Sequence, residues 1–259
     1  MPGPKNNEAS AEQLTVSEIR NYKVVKSNEL IQKSRFQLSA QEQKIILYLI
    51  SKIKSGDDAL YTSEFGITEF CRVCGLDTKS GKNHKDVKDA VKALADKSIW
   101  VTLENGKETI FRWLDKPLID NQTGTIQVKF DDLLRPYLLQ LKNNFTQFEL
   151  LYTLAMKSQY SIRLYELLKS YLYKQTVEFS IDELKKVLSA TCYVRYPDFR
   201  RNVIDIAVKE ISALSDINAA YEALKAGRRY VGIQFTMSLK KDLDERFVTW
   251  KRIQDIIGN

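Results

Sequence analysis

The sequence predicts an α+β fold in which one pattern, three helices followed by a β-hairpin, is written twice. Three observations carry that reading. Capping boxes open helical segments in each half. Runs of apolar and β-branched residues flank glycine turns late in each half. The halves also match locally: Ala90-Val-Lys-Ala-Leu94 lies opposite Ala207-Val-Lys-Glu-Ile211, and Ile67-Thr-Glu-Phe70 opposite Ile181-Asp-Glu-Leu184, roughly 115 residues apart. A repeat that long implies tandem domains rather than a solenoid.

Taken in order, residues 1–20 are polar, carry early prolines and lack periodicity, which predicts a flexible arm. Ser39-Ala-Gln-Glu42 is a capping box, and Ile46, Leu49, Ile50 and Ile53 follow at helical spacing, so a helix is expected up to Gly56. A short helix from about Ile67 to Cys74 stops at Gly75. A third, from about His84 to Lys97, turns Val87, Ala90, Val91 and Leu94 inward. Ile99–Leu103, the turn Asn105-Gly106 and Thr109–Trp113 then read as the hairpin.

The second copy begins near Phe148. Leu164, Leu167, Leu168 and Tyr171 repeat the helical stripe, and Ser180-Ile-Asp-Glu183 opens a short helix to about Ser189. The third helix, about Asp198 to Leu214, is expected to turn Phe199, Val203, Ile206, Ala207, Ile211 and Leu214 inward. Ile217–Leu224, a turn at Ala226-Gly227, and the alternation of Val231, Ile233, Phe235 and Met237 give the second hairpin. Arg246 to Ile257 reads as an amphipathic helix, with Phe247, Trp250, Ile253, Ile256 and Ile257, packed on the second domain. The expected boundaries are an arm over 1–20, a first domain over 21–146 and a second over 147–259.

Composition narrows the function. A chain of 259 residues with 44% apolar and 28% charged residues has the make-up of a soluble globular protein, not a disordered, collagenous or disulfide-stapled one. The stretch Met1 to Glu8 has no apolar core, so no secretory signal is expected, and the densest apolar run, Ile45–Ile50, is far shorter than the ~20 residues of a spanning helix. Three cysteines do not make a disulfide framework, so a cytoplasmic setting with reduced thiols is expected. The net charge of +7 suits a polyanionic partner.

Catalytic constellations are scarce. The single histidine, His84, lies in a polar stretch and reads as a solvated residue, and one histidine cannot supply the metal-binding pair of a rolling-circle nuclease. The run Gly75 to Asn83 resembles a phosphate loop but has five residues between its glycines and ends in asparagine. Cys71 and Cys74 form a C-x-x-C without a second ligand pair, and as i, i+3 neighbours they read as core residues. No metal or cofactor is expected, and no enzymatic activity.

Helix, helix, helix, hairpin is the order of a winged helix–turn–helix. Its third helix fits the major groove of DNA, and its hairpin, the wing, reaches the backbone or the adjacent minor groove. In the second domain that helix offers Arg200, Arg201, Asn202, Asp205 and Lys209 outward, and the wing holds Lys225, Arg228 and Arg229 around Gly227. Arginine reads guanine and asparagine reads adenine, so this face has the chemistry to specify sequence. The bland alternative is a solvated face laced by pairs such as Arg201–Asp205. In the first domain Lys85, Lys88 and Lys92 face outward, with Lys82 before them and Lys107 in the hairpin turn, tempered by Asp86, Asp89 and Asp96. Residues 1–150 carry a net charge of +2 and residues 151–259 of +5. The second domain is therefore expected to read bases and the first to hold backbone.

Ser27-Asn-Glu-Leu30, Leu38-Ser-Ala-Gln-Glu-Gln-Lys44 leading into Tyr48–Ile53, Pro136–Lys142, Phe145-Thr146, Lys157–Leu168 and Phe199–Ile211 together resemble the replication initiators of iteron-containing theta plasmids. The resemblance spans about residues 24–237. It implies two winged-helix domains whose monomer binds directly repeated iterons in double-stranded DNA. It also implies a homodimer, joined mainly through the first domain, that represses its own promoter at an inverted repeat. Host partners would be the chromosomal initiator, the replicative helicase machinery and, in some members, chaperones.

Two reading helices on one face of a duplex sit about 10–10.5 bp apart, so each monomer is expected to cover on the order of 20 bp. Bound monomers would bend DNA and help open an adjacent AT-rich segment without enzymatic chemistry. Two readings from other classes compete: a transcriptional repressor without origin activity, and a protein-interaction module that uses its winged helices for assembly.

Overall fold

The computed structural model describes residues 15–258 apart from Ser55 and Glu104. Of the arm expected over 1–20, residues 1–14 lie outside the described residues. The rest is not loose: Thr15 and Glu18 close a capping box on α1 (Val16–Arg20), Ile19 joins the core, and Arg20 Nε donates to the Val73 carbonyl at 2.9 Å. Polarity hid this segment because its key residue, Arg20, is buried through hydrogen bonds rather than apolar contact.

The chain continues through β1 (Lys23–Ser27), α2 (Asn28–Lys33) and β2 (Ser34–Arg35) to α3 (Ala40–Ser51). The α3 capping box forms: Ser39 Oγ accepts the Glu42 amide at 3.3 Å, and the Glu42 carboxylate accepts the Ser39 amide at 2.7 Å. Strand β3 (Ser63–Gly66) runs straight into α4 (Ile67–Val73), and Gly75, at φ +67°, turns the chain toward α5 (Gly81–Asp96). Then come β4 (Ser98–Thr102), β5 (Glu108–Arg112), β6 (Leu114–Ile119), β7 (Thr125–Phe130), α6 (Arg135–Leu138) and β8 (Phe145–Glu149). The second copy holds α7 (Leu151–Leu154), α8 (Gln159–Ser170), β9 (Thr176–Ser180), α9 (Ile181–Val187), α10 (Tyr196–Phe199), a π turn over Arg200–Ile204 and α11 (Asp205–Leu214). It closes with β10 (Ile217–Ala226), β11 (Arg229–Leu239) and α12 (Leu243–Ile257).

Sheet order shows which elements correspond. In the second domain β9, the strand entering the second helix, pairs with β11, which pairs with β10. The counterpart in the first domain is β3, and it pairs with β7, which pairs with β6. The first domain's wing is therefore β6–β7, with its turn at residues 120–124. The Asn105-Gly106 hairpin, β4–β5, pairs with β2 instead and is inserted between the third helix and the wing. The expectation that this hairpin is the wing is corrected: a turn signal identifies a hairpin but not the strand it pairs with.

The second third helix also departs from expectation. In a continuous α-helix Ile206 would lie nearly two turns after Phe199 and share its inward face. The π turn takes up one extra residue, so Ile204 and Ala207 occupy the inward places and Ile206 is 42% exposed.

The two copies of the pattern share one hydrophobic cluster, in which α3 packs against α8, its counterpart in the second copy, and α2 also packs on α8. Cys71 and Cys74 lie inside it. β1 pairs with β8, so the strand entering the first domain lies beside the strand leaving it. A polar seam runs through the junction. Lys26 Nζ meets Glu166 Oε1 at 2.6 Å with both side chains at most 2% exposed. Arg163 Nη2 donates to the carbonyls of Ile31 at 2.7 Å and Ser34 at 3.0 Å, and its guanidinium lies 4.5 Å above the Phe36 ring. Helix α12 packs on α11 and α7, as expected of a helix seated on the second domain, and its Ile253 and Ile257 are buried. Its end reaches the first domain as well: Arg20 donates to the carbonyls of Ile257 at 3.0 Å and Gly258 at 2.7 Å. Phe247, Trp250 and Ile256 of the same helix are exposed rather than packed.

Candidate nucleic-acid interface

The second domain builds its candidate face from α10, the π turn, α11 and the β10–β11 wing. Phe199, Val203, Ile204, Ala207 and Ile211 anchor the helix in the core, which leaves Arg200, Arg201, Asp205 and Lys209 exposed. The wing turns at Gly227, where φ +62° suits glycine, and Lys225, Arg228 and Arg229 are all exposed around it.

Internal contacts fix several of these groups. Arg201 does not pair with Asp205 as the bland reading had it; its Nη2 lies 3.4 Å from Asp198. Asp205 instead accepts from the Tyr221 hydroxyl at 2.5 Å and lies 3.7 Å from Arg200 Nε. Burial and that carboxylate hold the Tyr221 phenol well above its ordinary pKa, so it stays a proton donor. Asn202 is half-buried and its amide donates to the Asp198 carbonyl at 2.9 Å, which ties it to its own helix. The rings of Tyr196 and Tyr230 stack at 4.1 Å, and Lys225 Nζ sits 4.8 Å above Tyr230. This stack joins the start of the third helix to the tip of the wing, where Tyr230 pairs with Lys225 one step from the turn, and it holds a wing lysine over an aromatic face.

Arg195, which the sequence reading passed over, precedes the helix with a 78% exposed side chain and a 2.8 Å contact to Asp198. Its place in the turn before a winged-helix third helix was the available signal. Ile206, assigned inward from periodicity, stands on the exposed side.

The first domain's face is more self-neutralised. Lys82, Lys85 and Lys92 are exposed on α5, but Lys85 pairs with Asp89 at 2.6 Å, and that contact holds the Asp89 carboxyl below its usual range. Lys88 is half-buried and donates to Asn121 Oδ1 at 2.9 Å, tying α5 to the true wing turn. Lys107 is exposed, but it sits at the turn of the inserted hairpin, away from the α5–wing pair in the topology. His84 is half-buried with its ring nitrogen 2.8 Å from the Thr78 carbonyl, a brace for the loop entering α5 rather than the freely solvated residue expected. Among the described residues no group of three or more potential metal ligands converges, and no helix is long and apolar enough to cross a membrane.

Two family models agree with this architecture. The family described as "Initiator Replication protein, WH1" matches residues 23–169, and that described as "Initiator Rep protein, WH2" matches residues 180–237. The PI protein of Escherichia coli is 31% identical over 138 residues, covering 46% of this chain. That match spans 45% of the relative's length. A crystal structure of the MSBI1.176 WH1 domain, a replication protein isolated from a multiple sclerosis patient, aligns with 38% of this chain and 77% of its own, at 19% identity and a TM-score of 0.30. With both winged-helix halves matched in order across most of its length, the chain belongs to the plasmid replication initiator family.

Proposed function

We propose that the protein initiates plasmid replication by binding directly repeated iterons, the second domain reading bases and the first holding phosphates. One observation carries this reading. Arg195, Arg200, Arg201, Lys209, Lys225, Arg228 and Arg229 stand exposed on a helix and wing that the Tyr196–Tyr230 stack joins. Lys82, Lys85 and Lys92 of the first domain supply the backbone contacts in this reading, and the shared core that joins the domains supports a single bipartite footprint. Origin opening, recruitment of the host initiator and helicase, and autorepression as a homodimer belong to the same proposal and are supported by the family likeness.

The test is a footprint on the DNA flanking the gene, at near-physiological salt with excess nonspecific competitor. The expected result is regular protection over direct repeats, on the order of 20 bp per monomer. Arg200→Ala/Arg201→Ala should abolish it. Affinity should fall about 10³-fold or more between 50 and 200 mM salt if six or more phosphates are engaged. Protection of a lone inverted repeat would replace the initiator with a repressor. A shallow salt slope without any footprint, from monomeric protein as well, would end the DNA-reading proposal.

A further inference from the structure

We propose that Ile206 contacts the 5-methyl group of a thymine in the major groove, which makes it a specificity-determining residue of the second domain. The inference rests on the reading of that domain as the base reader. A single exposed isoleucine is ordinary on a protein surface. This one stands at the middle of the reading helix, and a backbone irregularity puts it there. Without the π turn over Arg200–Ile204, Ile206 would continue the Phe199 face into the core; with it, 42% of the residue is exposed. Helix propensity gives no reason for a β-branched residue at an exposed helical position.

Its neighbours sharpen the assignment. One turn earlier, the Asn202 amide is tied to the Asp198 carbonyl. Beside it, the Asp205 carboxylate is held by the Tyr221 hydroxyl and faces Arg200. The polar groups at the middle of the helix are thus engaged within the protein, while Ile206 presents an aliphatic surface. In the major groove the thymine methyl is the apolar group that distinguishes one base pair from another, and an aliphatic side chain is its complement. Arg200 and Arg201 on the preceding turn then supply phosphate or guanine contacts, and Ile206 adds a thymine at a fixed offset from them.

The experiment selects bound sequences from a random duplex pool with the wild-type protein. Deoxyuridine then replaces thymine one position at a time in the selected site, and affinity is measured for wild type, Ile206→Ala and Ile206→Val. At one thymine, loss of the methyl should weaken wild type about fourfold, the weight of one buried methyl group. Ile206→Ala should bind the thymine and deoxyuridine sites alike at that position, and Ile206→Val should keep most of the difference. Arg200→Ala should lower affinity while retaining the methyl preference. The side chain is exposed, so Ile206→Ala should melt as wild type does, and circular dichroism checks this. The same deoxyuridine profile in Ile206→Ala and wild type would overturn the assignment, as would a selected site with no methyl-sensitive thymine. A pool that enriches no sequence overturns the underlying base-reading proposal, and this inference with it.

Discussion

Basic residues in this chain fall into two groups that burial separates. Arg20, Lys26, Arg163, Lys185 and Lys240 are buried, and each bonds to a carbonyl, carboxylate or hydroxyl inside the fold. Arg200, Arg201, Lys209, Arg228 and Arg229 are exposed. The +7 excess that suggests a polyanionic partner therefore includes charges that no partner can reach. Residue chemistry also sets a pH limit. Burial pushes the Cys74 thiol up to about 12, against an unfolded value of about 8.5. Between those values the unfolded chain gives up a proton that the folded chain keeps. The associated stability is thus complete below about pH 8.5 and falls as pH climbs, by up to about 1.4 kcal/mol per unit. Urea titrations from pH 7.5 to 10 should show a shallower decline in Cys74→Ala than in wild type; equal slopes would remove the thiol as the cause.

Among the elements, the capped helices were the most legible because their signals are local. Ser39 with Glu42 sets the start of α3, and Ser180 Oγ accepts the Glu183 amide at the start of α9. The wing of the first domain was not legible, because Asn105-Gly106 is a stronger local turn signal than residues 120–124, and only strand pairing shows that β7 lies beside β3. The contact that closes the C-terminal helix is also nonlocal. A Cβ at Gly75 would lie 2.2 Å from the Ile257 carbonyl oxygen, and φ +67° already disfavours any other residue there. Gly75→Ala should cost about 1–3 kcal/mol and loosen the last turn of α12 from Arg20. Hydrogen exchange over residues 250–258 should speed up in that variant; unchanged protection would show that α12 is held from the second domain alone.

At the scale of the whole molecule, the shared core and the Lys26–Glu166–Arg163 seam join two domains that the repeat presents as separate units. Glu166→Ala would leave the Lys26 ammonium and the Arg163 guanidinium buried without their counterion. That should destabilise the protein by about 3–5 kcal/mol. At about 2–4 °C per kcal/mol for a chain of this size, the drop should be roughly 10 °C in one calorimetric transition. A wild-type protein that unfolds in two separate steps, or a variant that loses less than about 1 kcal/mol, would show that the seam does not couple the domains.

The α+β class, the tandem repeat, most helix starts and the cationic character of the second domain's third helix are legible in the sequence alone. Each of those depends on neighbours within a turn or two, where capping, periodicity and side-chain chemistry act directly. The tertiary structure decided which hairpin is a wing, which lysines and arginines are inside, and which side of the helix Ile206 occupies. Those outcomes depend on strand partners, on hydrogen bonds between residues more than a hundred positions apart, and on one π turn whose phase slip only packing can select.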